Sequence, residues 1–160
     1  MIRNISLSLF LMALLFLLAV IAGRLLMIGV VAHRDAYFSC DAKVVVVNGV
    51  SNLSLATSYF FEGDKGLVVF KGRMQQGEKI YNVSRKVLFN INSLQNISTL
   101  TSTQVDTSPA DNTPEELLQL MLPAFFYHPK NNMEYTIYHQ GWNGYIFSTG
   151  YVPLFYCRRS

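Results

Sequence analysis

The sequence predicts a mainly β fold: a small antiparallel barrel or curved sheet of about seven or eight strands with one short helix, behind one N-terminal transmembrane helix. Three observations predict it. A charge-free apolar run near the N-terminus is long enough to cross a bilayer. Beyond it the hydrophobic pattern falls to a period near two, broken by glycine-containing turns. One later stretch alone carries helix-start chemistry.

The chain has 160 residues, enough for one modest domain plus an anchor. From Ile5 to Gly23 the run ISLSLFLMALLFLLAVIAG contains no charged side chain. As a helix it rises about 28 Å, close to a bilayer core. Apolar character resumes after Arg24, whose guanidinium can extend toward the headgroups. Three readings compete. A cleaved signal would use VIAG (Val20–Gly23), but the run is long and continues past it. A lipoprotein would acylate Cys40, but YFSC lacks the small apolar residues that precede such a cysteine. An uncleaved anchor over 5–31 fits best, with 1–4 cytoplasmic, 32–39 a juxtamembrane linker and 40–160 an exported β-rich domain. Arg3 before the span and Arg24 and Arg34 after it give the positive-inside rule little to act on.

The strands follow in order. KVVVVN (Lys43–Asn48) is a β-branched run, and GVSN breaks it. LSLATSYFFE (Leu53–Glu62) and LVVFKGRMQQ (Leu67–Gln76) form a hairpin around EGDKG (Glu62–Gly66). After a turn at Gly77–Glu78, KIYNVSRKVLFNIN puts Tyr81, Val83, Val87, Phe89 and Ile91 on one face. Asn82, Ser84, Lys86, Asn90 and Asn92 take the other. Arg85 and Leu88 interrupt this alternation, which a bulge would explain. NISTLTSTQV (Asn96–Val105) is the next strand, and DTSPADN a loop. TPEELLQLMLPAFF (Thr113–Phe126) reads as the helix, with Thr113 as N-cap, Pro114 at the first position and Glu116 completing a capping box; Pro123 ends or kinks it. NMEYTIYHQG and GYIFSTGYVPLFYC, joined by GWNG (Gly141–Gly144), supply the last two strands. Closure into a barrel would hide the edges of so much valine and phenylalanine.

Charge and motif content exclude several function classes. From residue 40 onward, ten Lys/Arg face nine Asp/Glu, which gives no basic face for nucleic acid. The three histidines, His33, His128 and His139, are scattered. There is no HExxH, no CxxC and no G-x-S-x-G elbow, so no metal, cofactor or enzymatic activity is expected. The Asn-X-Ser sequons at Asn52, Asn82 and Asn96 read as chance in an Asn-rich chain. Most of the aromatic residues beyond the anchor read as core; a small barrel can instead keep an apolar interior open for an amphipathic ligand, and an exposed aromatic strip could pair with another chain. Tyr81, Phe89, Tyr138 and Phe147 are the candidates for an inward-facing ligand pocket. Cys40 and Cys157, the two cysteines, bracket the strand region 117 positions apart. They are either a disulfide, which would place the domain in an oxidising compartment, or two unrelated buried thiols.

The short N-terminus, the single span, the YFSC cysteine just beyond it, the strand-rich domain and the terminal FYC (Phe155–Cys157) resemble the FidL-like family of enterobacterial inner-membrane proteins. The resemblance covers the whole chain by layout and rests on two cysteines with aromatic flanks, not on a catalytic signature. It implies a periplasmic Cys40–Cys157 bridge. It also implies distant similarity to ToxS and VtrC, the small partners of ToxR-like regulators. In the VtrA–VtrC pair the periplasmic domains jointly form a lipocalin-like barrel that binds bile salts. The expectation is therefore a single-pass inner-membrane protein with a cytoplasmic N-terminus and a periplasmic barrel. It would form a heterodimer with a ToxR-like membrane-bound transcription factor and sense an amphipathic ligand such as a bile salt. The alternative is an envelope structural or assembly protein with no ligand.

Overall fold

The computed structural model describes residues 2–160, with side chains at 11–30 and 36–160. Two compact units divide at Ala36/Tyr37. The first is helix α1 (Ile2–Ala36). Its segment Leu11–Val30 has a mean hydropathy of 2.6 and no buried side chain, the profile of a helix solvated by something apolar. The expected linker 32–39 forms no separate element: α1 runs to Ala36 and the first strand starts at Tyr37.

The second unit is an eight-stranded up-and-down barrel: β1 (Tyr37–Asn48), β2 (Ser51–Glu62), β3 (Lys65–Gln76), β4 (Lys79–Leu94), β5 (Ile97–Thr107), β6 (Asn132–Gln140), β7 (Gly144–Thr149) and β8 (Val152–Arg159). Every neighbouring pair is antiparallel, and β8 returns to β1. GVSN does break the run, but the turn needs only Gly49 and Val50, with Gly49 at φ +58°, and Ser51 and Asn52 already belong to β2. The stretch 144–157 is two strands, because Gly150 at φ +58° turns the chain with Tyr151. That turn raises the count to eight.

Alternation sets the inner face. In β2, Leu53, Leu55, Thr57, Tyr59 and Phe61 are buried and their neighbours are not. In β4 the alternation is unbroken and runs through Arg85, which is buried beside Val83 and Val87. The bulge expected at Arg85 and Leu88 lies on the opposite strand. Leu88 pairs Gln104 while Phe89 pairs Ser102, and the skipped Thr103 donates its hydroxyl to the Leu88 carbonyl at 3.1 Å. Two glycines permit close packing across strands. A Cβ at Gly66 would collide with the ring of Phe89, its cross-strand partner, and one at Gly72 with the Ser54 carbonyl.

The helix is shorter than expected. Helix α2 covers only Glu115–Gln119, and a 3-10 turn follows at Ala124–Phe126 after Pro123. Thr113 does not cap it; its hydroxyl donates instead to the Asn82 carbonyl of β4 at 2.9 Å. The connection from β5 to β6 thereby plugs one end of the barrel, burying Leu118, Met121, Phe125 and Phe126. Phe126 meets Phe70 edge-on at 5.5 Å, and Phe125 meets Phe89 at 5.7 Å.

Candidate functional site

The barrel interior is an aromatic core. Phe147 lies 5.1 Å from Tyr59, 5.2 Å from Tyr135 and 4.9 Å from Phe155, ring centre to ring centre. Phe61 links this group to Phe89 at 5.7 Å. Tyr59 and Tyr135 share a side-chain hydrogen bond between their hydroxyls. Burial pushes the Tyr59 hydroxyl up to about 12, and burial together with the neighbouring Tyr59 raises Tyr135 well above its ordinary value. Both are neutral hydrogen-bonding phenols at physiological pH.

Of the four residues expected to line a ligand pocket, Phe89 and Phe147 do face inward, but they are fully packed. Tyr81 is on the inner face and half-buried. Tyr138 is not inside. It is 48% exposed, because its neighbour Tyr135 takes the inner parity of β6 and three residues on the face reverses. The four therefore do not form one pocket.

The seam where the barrel closes has a different character. Cys40 and Cys157 form a disulfide, with Cα atoms 5.4 Å apart. Both point inward and are fully buried. Around it β1 and β8 pair through Cys40↔Arg159 and Asp41↔Arg158, and the Ser160 N–H donates to the Ser39 carbonyl at 3.2 Å. Asp41 clasps this end: one carboxylate oxygen accepts from the Ser58 hydroxyl and the other from the Ser160 hydroxyl at 2.8 Å. Those hydrogen bonds, the Ser58 one foremost, with the nearby Arg158 charge, hold its carboxyl below the usual range. Beyond Asp41 the ladder between β1 and β8 stops, although β1 continues to Asn48, paired on its other side with β2.

The outer wall beside this seam is apolar. Register aligns Tyr138 of β6, Ile146 of β7 and Tyr156 of β8 in one cross-strand row. Tyr156 rests over Gly144, where any Cβ would meet its ring. Leu154, Val152, Val45 and Val47 are exposed on the same strands β8 and β1. By contrast, the outer face across β3 to β5 is polar. It carries an open cleft of about 310 Å³ with Lys71, Ser84, Lys86 and Asp106, in which Lys86 sits opposite Asp106.

The family match begins at the first residue of β1 and ends at the second cysteine: residues 37–157 match the model of the YqeJ C-terminal domain. The chain belongs to the YqeJ family. The uncharacterized protein YqeJ of Escherichia coli strain K12 is 30% identical over 156 residues, covering 91% of this chain and 96% of that protein. No solved structure matches. The apolar helix, as span or signal, and the disulfide point to the cell envelope and an oxidising, periplasmic setting for the barrel.

Arg85, which interrupts the pattern in the sequence, has a structural task. Its Nε–H donates to Asp111 Oδ2 at 3.0 Å, and both side chains are buried. The carboxylate also accepts from the N–H of Ser84 at 2.9 Å and of Thr113 at 3.1 Å. The pair ties the plug to β4. A buried arginine in an alternating strand is the sequence signal for such a pair, but its partner lies in a loop 26 positions away. The histidines do not converge: His128 lies 3.1 Å from Glu115, and the His139 ring meets that of Tyr145 at a tilt, 4.7 Å between centres. The His33 side chain lies outside the described residues. Among the described residues no three His, Cys, Asp or Glu side chains gather as metal ligands.

Proposed function

We propose that this YqeJ-family chain is a single-pass inner-membrane protein, N-terminus in the cytoplasm, whose periplasmic barrel binds the exported domain of a ToxR-like single-span regulator. The observation that carries this reading is the Tyr138–Ile146–Tyr156 row, an apolar strip aligned on the outside of the barrel rather than in its core. Exposed apolar strips of this kind are a mark of protein contact surfaces, in which tyrosine is enriched. The chain would act as a binding module whose partner touches DNA. An amphipathic ligand such as a bile salt would act by favouring the paired state over the unpaired one.

A second reading, an envelope structural or assembly protein without a ligand, draws support from the interior. Phe61, Phe89, Tyr59, Tyr135 and Phe147 occupy the space a ligand cup would need. Purification of the tagged full-length chain from membranes in mild detergent separates the two. The first reading expects a winged-helix, single-span regulator in comparable amount, lost when Tyr138→Lys and Tyr156→Lys are combined in a barrel that still folds. Recovery of the chain alone, or with outer-envelope assembly proteins, overturns it.

A further inference from the structure

The two rims of the barrel differ in what they are joined to. One is formed by the start of β1, the β2–β3, β4–β5 and β6–β7 turns and the end of β8. Its first residue, Tyr37, follows Ala36 of α1 with no intervening loop. With α1 as the uncleaved span of the reading above, the apolar segment ends at Val30, seven positions before Tyr37. Seven helical residues rise about 10 Å, and the headgroup layer on each side of a bilayer is about 5–8 Å deep. The chain therefore delivers this rim to the outer edge of the headgroups.

Two hairpins project from the same rim, and each ends in an exposed apolar side chain. Strand β4 runs four residues beyond Asn90, the last to pair with β3, and β6 runs four beyond Thr136, the last to pair with β5. Four strand residues reach about 13 Å, enough to cross the headgroup layer. At the first tip Leu94 pairs with Ile97 on the final rung, and Leu94 is 74% exposed. At the second, Trp142, the chain's one tryptophan, is 78% exposed. The Arg159 N–H donates to the Asn143 carbonyl at 3.0 Å, which sets the cationic end of β8 against the tryptophan hairpin. Lys65, Arg158 and Arg159 stand on this rim against Glu62 and Asp64, so no excess of carboxylates repels acidic headgroups. Tryptophan and tyrosine beside arginine are the side chains that settle at a membrane–water boundary, since each joins an apolar body to a polar edge.

We infer that this rim rests in the headgroup layer of the membrane that holds α1, with Trp142 and Leu94 reaching the boundary of the acyl chains. The occupant is a lipid surface because the covalent link to the span brings one to this rim. The opposite rim also exposes apolar side chains, among them Val50 and Tyr151. It lies at the far end of β1, twelve residues or about 40 Å of chain further on, and nothing ties it to lipid. A seated rim would hold the Tyr138–Ile146–Tyr156 row, which begins on the β6–β7 hairpin, at a fixed height for a neighbour anchored in the same bilayer. This inference rests on the reading of α1 as an uncleaved anchor.

The single tryptophan makes the test direct. The full-length chain is reconstituted in vesicles of phosphatidylethanolamine and phosphatidylglycerol, with and without lipid brominated near the headgroup end of its acyl chains. Bromine quenches an indole only at close contact. Trp142 emission should fall about twofold or more in the brominated vesicles. Two further chains move the reporter. Trp142→Phe with Leu94→Trp should be quenched alike, and Trp142→Phe with Tyr151→Trp, on the opposite rim, should not. All three positions are exposed, so the changes leave the core intact. Absence of quenching at Trp142 and in the Leu94→Trp chain, while both stay in the vesicles under alkaline carbonate, would overturn the rim inference and leave the anchor standing. Equal quenching at all three positions would also overturn it, since the barrel would then lie against lipid along its whole length. Release by carbonate, or recovery from cells of a chain lacking its first residues, would overturn the anchor reading and the inference with it.

Discussion

Loss of the disulfide tests the mechanics of closure most directly. Replacing Cys40 and Cys157 together by alanine removes a crosslink between residues 117 positions apart. The chain-entropy relation assigns a loop of that length about 5 kcal/mol at room temperature. Small domains are stable by only about 5–15 kcal/mol, so the loss is a large share of the total. With an unfolding entropy of about 2.1 cal/mol/K per residue over the barrel unit, Tm should fall by about 20 °C. The damage should also be local first. Two residue pairs, the Ser160 N–H bond to the Ser39 carbonyl and the Asp41 clasp are what remain to hold the C-terminal strand against β1. Hydrogen exchange should therefore rise in β7 and β8 before it rises in β2, β3 and β4, whose ladders run twelve pairs each between β2 and β3 and between β3 and β4. The assay is thermal and urea unfolding of the full-length chain in detergent, with exchange read strand by strand. A loss below about 1 kcal/mol, or uniform loss of protection, would refute the view that the bridge holds the seam. Partner recovery should fall with stability if pairing needs a closed upper seam; unchanged pairing would remove that role from the bridge.

Breaking the plug's ion pair should be nearly as costly: Arg85→Ala leaves the Asp111 carboxylate buried without its cation and should cost about 3–5 kcal/mol in urea unfolding. A loss under about 1 kcal/mol would show that the backbone N–H groups of Ser84 and Thr113 suffice. Alkali should destabilise the barrel through its buried phenols. Tyr59 titrates near 12 when folded but near 10 when unfolded, so its contribution is intact below about pH 10 and is lost between about 10 and 12, a change of about 2–3 kcal/mol. Tyrosinate absorbance should show Tyr59 and Tyr135 as a late phase that appears with unfolding; a single phase near pH 10 in folded protein would contradict the buried pair.

Local pattern determined much of this protein. Nineteen uncharged residues specify a membrane-length helix whatever follows them. Alternation in β2 and β4, glycines at the turns and cysteines at either end of the strand region indicated an antiparallel barrel tied at its ends. These features depend on period-two geometry and turn conformation, which neighbouring residues settle among themselves. What tertiary structure decided is where patterns compete or partners are distant. Arg85 looked like a break in β4 but keeps its parity because Asp111, in a loop, neutralises it. Thr113 looked like an N-cap, yet β4 offers its hydroxyl a carbonyl, so the helix begins later and ends within five residues. Tyr135 and Tyr138 take opposite faces of β6 by strand geometry alone, but only the closed barrel decides that Tyr135 is the one facing the core. The early end of the β1–β8 ladder could not be read from KVVVVN at all, since a strand's sequence records which residues it can bury, not which of its two edges finds a neighbour.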